Sequence, residues 1–107
     1  MRQALHQVRN SFDENGNPTG GAVSAVGIKI KWQDGPLGNP PDMAKHNGAF
    51  VEGVIEAAKQ RLMFFQGTKF AHDSNAQAIQ HLEAALDALE LRTAERKERG
   101  VEGKHEV

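Results

Sequence analysis

Three arginines close to the C-terminal end are the first residues whose type and spacing suggest chemistry. Arg92, Arg96 and Arg99 stand at i, i+4 and i+7. On a helix that spacing gathers them on one stripe. Guanidinium groups are planar and permanently charged, and they grip phosphate oxygens through paired hydrogen bonds. The stripe leads into Arg99-Gly100-Val101-Glu102-Gly103-Lys104, where two glycines let backbone amides come close to an anion. The same residues also fit a solvated helix end, with the arginines paired to Glu95, Glu98 and Glu102. A second candidate couples Phe65 to Asn75. If one helix closes at Phe65 and the next opens at Asn75, the turn between them brings the two together. An aromatic face beside an amide can hold a nucleobase, by stacking and by edge hydrogen bonds. The plainer reading is a core Phe and a helix-start Asn.

Other candidates are thinner. Trp32 opens the loop Trp32-Gln33-Asp34-Gly35-Pro36-Leu37-Gly38 and is either a stacking surface or an anchor for a sheet. Lys45, His46 and Asn47 precede the first expected helix, whose N-terminus could receive an anion or simply be capped. The five histidines (6, 46, 72, 81 and 105) lack metal-ligand spacing, and cysteine is absent. Neither a Gly-rich phosphate loop nor a nucleophile elbow is present. These features point to binding rather than catalysis, with no enzyme activity, cofactor or metal expected.

Two unlike halves must position these residues. All four prolines and seven of the eleven glycines fall within residues 1–48. That half should hold turns and short strands. Val26, Ile28, Ile30 and Trp32 alternate with Gly27, Lys29 and Lys31, the period of a strand with one apolar and one wet face. Residues 3–9 are the expected partner strand, with the Asp13–Gly21 stretch as the turn chemistry between them. In the second half a helix is expected from an Asn47 N-cap to about Gln66. Phe50, Val51, Val54, Ile55, Ala58, Leu62 and Phe65 would form its apolar stripe and Gly67 its stop. A second helix is expected from Ser74, with Ser74 and Gln77 as a capping box and Ile79, Leu82, Leu86 and Leu89 as a seam. The arginine stripe lies roughly 90° from that seam. The short connection makes the pair an antiparallel hairpin.

The fold class expected is therefore α+β: a small N-terminal antiparallel β-hairpin or sheet, then a two-helix hairpin, assembled as a homo-oligomer. The 107 residues are read as one domain, with residues 1–46 rich in strand and loop and 47–107 carrying the hairpin and a C-terminal tail. Hydrophobic residues make up only 38% of the chain, a small supply for a self-sufficient core, so packing against copies of itself is expected. Thirteen Lys and Arg against fourteen Asp and Glu exclude a strongly basic nucleic-acid coat. The opening Met-Arg-Gln-Ala-Leu-His-Gln-Val-Arg-Asn has no apolar run of signal-peptide type, so an unexported protein is expected.

Three ordered stretches carry a family resemblance: Gly27–Gly38, Asn47–Leu62 and Phe64–Val107, the last ending in Arg-Thr-Ala-Glu-Arg-Lys-Glu-Arg-Gly-Val-Glu-Gly. Together they resemble the phage-encoded Thoeris anti-defence proteins of the signal-sponge type, which share a helical-hairpin domain with anti-CBASS cyclic-nucleotide sponges. The resemblance implies a non-catalytic protein of the infected bacterium's cytoplasm that binds cyclic nucleotide immune signals and withholds them from their effectors. The implied ligands are glycocyclic ADP-ribose isomers and, in a separate pocket, cyclic tri- or dinucleotides. The implied assembly is a homo-hexamer built from dimers, with no membrane and no DNA as partner. By the same resemblance Phe65 stacks on the adenine of the ADP-ribose signal and Asn75 lines that pocket. Arg92 and Arg96 bind phosphates of the trinucleotide, and Arg99 and Gly103 belong to the segment lining its site. The loop from Trp32 to Gly38 would help close the first pocket. Lys104 departs from the Thr common at that place, and residues 1–25 have no counterpart. A reading from another class stays open: a structural or regulatory hairpin that binds a protein partner.

Overall fold

The computed structural model describes residues 1–35 and 46–98, the side chains of residues 96–98 excepted. The described chain runs β1 (Gln7–Phe12), β2 (Pro18–Ala25), β3 (Ile28–Trp32), α1 (Val51–Gln66) and α2 (Asp73–Glu98). It divides into two compact units, the strands up to Phe50 and the helices from Val51 to Glu98.

The first unit is a three-stranded antiparallel sheet in the order β1-β2-β3. The expected strand 26–32 is present from Ile28, and its alternation holds: Ile28, Ile30 and Trp32 are half-buried while Lys29 and Lys31 face water. Its partner differs from expectation. Residues 3–9 do not pair with it; β1 starts at Gln7 and pairs with β2, and β2 pairs with β3. The turn chemistry is confined to residues 13–17, where the Asp13 carboxylate accepts hydrogen bonds from the amides of Asn15 (2.8 Å) and Asn17 (3.0 Å). The rest of the supposed turn, from Pro18, is the central strand. Pro18 is tolerated as its first residue, and the register slips between Ser11 and Phe12 there. Gly21 belongs in the strand because a Cβ at that position would overlap the carbonyl oxygen of Arg9. Cross-strand partners share a face, so Val8, Val23 and Ile30 make one apolar row and Gly21 faces Trp32.

The chain returns to the edge of β3 after the loop. Ala49 forms a parallel bridge with Trp32, donating to the Lys31 carbonyl (2.7 Å) and accepting from the Gln33 amide (2.9 Å). Gly48 permits this approach, since a Cβ there would lie 2.5 Å from the Trp32 carbonyl carbon. Asn47 is not the helix cap expected from the sequence. Its Oδ1 accepts from the Asp34 amide (2.8 Å), and its own amide donates to Gln33 Oε1 (2.8 Å). Asn47 therefore clamps the two ends of the loop, and α1 begins four residues later. With the helix start displaced, His46 does not flank it; its ring lies 5.2 Å from that of Phe50.

The second unit is the helical hairpin. Gln66 and Gly67 end α1 as expected, with the Gly67 amide donating to the Phe64 carbonyl at 3.1 Å. The expected seam of α2 is the half-buried stripe Ile79, Leu82, Leu86, Leu89 and Thr93. The stripe of α1 needs correction: Phe50, Val51 and Ala58 are exposed, and Lys59 takes an inward place. Its ammonium meets Glu83 across the hairpin at 2.7 Å and Glu56 at 3.3 Å. The hydrogen bond to Glu83 raises the Lys59 pKa above its ordinary 10.5; desolvation opposes it, and the hydrogen bond and charge of Glu56 add to it. A raised folded-state pKa gives a contribution that is complete below the ordinary value and lost as pH climbs through the raised one. The gap in Tm between the parent and Lys59→Met is thus expected to be constant to about pH 10 and to narrow above it, as followed by far-UV circular dichroism.

Among the described residues none is buried. The apolar seams are only half covered by the chain itself, and Met63, Phe64, Phe70 and Leu91 stand 48–70% exposed on the hairpin.

Candidate ligand-binding site

The closed end of the hairpin is the best-built polar arrangement among the described residues. Its centre is the side-chain amide of Gln66, the last residue of α1. Gln66 Oε1 accepts from the His72 amide (2.9 Å) and from Asn75 Nδ2 (3.0 Å), while its Nε2 donates to the His72 carbonyl (3.1 Å). One amide thus ties the end of the first helix to the start of the second. Thr68 fixes the loop between them, with Oγ1 donating to the Phe65 carbonyl (2.6 Å) and accepting from the Phe70 amide (3.1 Å).

The cap of α2 differs from expectation. Ser74 is already inside the helix, so no Ser74–Gln77 capping box forms. The N-cap is His72, whose Nδ1 accepts from the Ser74 amide at 2.9 Å and whose carbonyl accepts from Asn75 and Ala76.

Phe65 and Asn75 lie at this same end. Asn75 Nδ2 donates to Gln66 Oε1 and to the Phe70 carbonyl (3.2 Å), so both of its N–H bonds are committed to the turn. Its Oδ1 accepts nothing among the described residues and is the edge left to receive an N–H donor. Phe65 is half-buried, and its ring centroid lies 5.6 Å from that of the more exposed Phe64. Sequence reasoning missed the cations here. Arg61 stacks over both rings, its guanidinium carbon 4.8 Å from each centroid, and the Lys69 ammonium lies 5.4 Å from the Phe70 ring. The signal was present in Arg61-Leu62-Met63-Phe64-Phe65-Gln66-Gly67-Thr68-Lys69-Phe70, where two cations interleave with three phenylalanines. An end so composed can take an aromatic base and a negative charge in one molecule.

The arginine stripe lies elsewhere. Arg92 is exposed on α2 and makes no ion pair among the described residues. Seventeen residues of helix separate it from Asn75, about 26 Å at 1.5 Å per residue. Within one chain the two candidates cannot serve one small ligand. Arg96 continues α2, its side chain outside the described residues, and Arg99, Gly103 and Lys104 also lie outside them. Of the expected loop from Trp32 to Gly38 only the part up to Gly35 is described, and Lys45 lies outside the described residues.

A groove of about 430 Å³ lies between the start of α1 and the facing part of α2, away from the closed end, lined by Glu52, Glu56, Glu83, Asp87 and Glu90 with Leu86. Its carboxylates repel a phosphate ligand, and no three acidic or His side chains among the described residues gather to hold a metal. No helix of the described residues is long and apolar enough to cross a membrane.

No family model matches this chain. Over 60 residues it is 50% identical to Thoeris anti-defense 1 of Bacillus phage SBSphiJ7. That stretch is 56% of this chain and 42% of the relative, so the match spans less than half the length of the protein it resembles. The resemblance to the Thoeris anti-defence proteins of phages, drawn above from the sequence, is borne out.

Proposed function

We propose that this chain is a phage anti-defence protein that binds cyclic nucleotide immune signals and withholds them from their effectors without cleaving them. It acts on Thoeris signalling through glycocyclic ADP-ribose isomers, held at the Phe65–Asn75 end of the hairpin. Cyclic tri- or dinucleotides, the signals of CBASS, go to a second site built on Arg92 and Arg96 with Arg99 and Gly103. It works in the cytoplasm of the infected host as a homo-oligomer.

The observation that carries this reading is the hairpin end: a phenylalanine ring under a guanidinium, an amide with one open acceptor tied to Gln66 and a second cation beside Phe70, in a chain half identical over 60 residues to a Thoeris anti-defence protein. The separation of Arg92 from that end supports two sites rather than one. Half-covered seams support self-association, which hides apolar surface and lets several copies enclose one ligand. In a closed site each charge-assisted hydrogen bond contributes roughly 1.5–3 kcal/mol, enough in combination for the tight binding that a protein without turnover needs.

The test is recovery of the ligand. Cyclic ADP-ribose incubated with excess protein is expected to vanish from the filtrate and to return with unchanged mass after heat denaturation. A linear or cleaved product would make the protein an enzyme.

A further inference from the structure

We propose that Arg61 is a ligand-exchanged guanidinium: it covers the Phe64 and Phe65 rings in the free protein and swings to the phosphates when a base takes its place. This rests on the sequestering reading above and assigns a residue to the phosphate side of the same pocket.

The placement follows from the helix. Arg61, Phe64 and Phe65 stand at i, i+3 and i+4 of α1, the spacings whose side chains meet. The two rings are inclined 58° to one another, and the guanidinium sits 4.8 Å from both centroids, filling the wedge between them. Nothing else holds it there. Arg61 is exposed and has no carboxylate or hydrogen-bond acceptor among the described residues. Glu56, the nearest carboxylate by sequence, pairs with Lys59 instead. Five N–H donors therefore face water or ring surface alone. A cation held only on an exposed aromatic face is held weakly, whereas a phosphate offers it charge and paired acceptors.

A base that stacks on Phe65 must displace the guanidinium. A ligand with only a base gains the ring but leaves the displaced guanidinium with no new partner. A ligand carrying a pyrophosphate on the same molecule re-engages the freed cation, and Lys69 at the same end adds a second charge. Arg61 thus selects nucleotides over nucleosides, by an effect of opposite sign on the two classes.

The test compares adenosine with ADP-ribose, titrated into the parent and into Arg61→Ala by NMR. Adenosine is expected to bind Arg61→Ala about two- to fivefold tighter than the parent, because the ring is uncovered. ADP-ribose is expected to bind about tenfold weaker or worse, with a shallower dependence on salt. Arg61→Lys, which keeps the charge and loses the paired donors, is expected to lie between. Equal losses for both ligands, or none for either, in a folded variant would overturn the role of Arg61 and leave the sequestering reading standing. A parent that takes up neither ligand overturns both.

Discussion

Phe65→Ala is expected to weaken cyclic ADP-ribose binding about ten- to hundredfold while leaving the mass of the assembly unchanged. Stacking of a base on an aromatic ring contributes about 1–3 kcal/mol, and each 1.4 kcal/mol is tenfold in affinity. Phe65 is also half-buried, so the substitution removes packing from the hairpin. Phe65→Leu separates the two effects. It restores most of the apolar volume without a π face, and it should recover helicity but not affinity. Arg92→Ala is the spatial control, about 26 Å along the helix from Asn75. It should leave this affinity alone and weaken cyclic trinucleotides instead. Calorimetry on the three variants settles the placement of the first pocket; parent-like binding by Phe65→Ala would remove it from the hairpin end. Asn75→Ala is a less clean probe, because it also deletes the bonds to Gln66 and Phe70.

The sheet carries the largest expected effect on stability. Gly21→Ala drives a methyl into the Arg9 carbonyl at a backbone φ of +154°, in the middle of the central strand. Forced displacement there should cost about 2–4 kcal/mol. Trp32 is the sole tryptophan and pairs directly with Gly21, so its fluorescence in a urea titration reads the damage at the site. Gly53→Ala supplies the contrast. Gly53 lies within α1 with nothing near a Cβ, so alanine should stabilise that helix by up to about 1 kcal/mol. A Gly21→Ala midpoint equal to the parent's would mean that β1 and β2 are not paired in the register Arg9–Ala22 and Asn10–Gly21.

The shape of the free-energy balance ties these results together. Among the described residues nothing is buried, so the hairpin relies on half-covered seams and on polar staples such as Lys59–Glu83 and the Gln66 amide. Surface pairs of this kind add little individually. Apolar burial between copies is the obvious reserve, and it is the physical reason that the proposed function needs an assembly.

What the sequence alone determined is what local periodicity can encode. The 3.6-residue rhythm from Ile79 to Thr93 marks the seam of α2, Gly67 marks the stop of α1, and the strict alternation from Ile28 to Trp32 marks β3. Each depends on neighbours within a turn or a strand. The tertiary structure decided everything that depends on partners distant in the chain. The Gly-Gly stretch became part of the central strand, and Gly21 fits there because the Arg9 carbonyl leaves no room for a Cβ. Asn47 became a loop clamp because Gln33 and Asp34 meet it fourteen and thirteen residues away, and a helix-cap reading cannot see them. Lys59 turned inward because Glu83 waits on the other helix. Asn75 lost its donors to Gln66 and Phe70 and kept only its acceptor. Hydrogen bonds and ion pairs form between whatever groups folding brings within 3 Å or so, and one-dimensional spacing records only those that lie on the same helix face or strand.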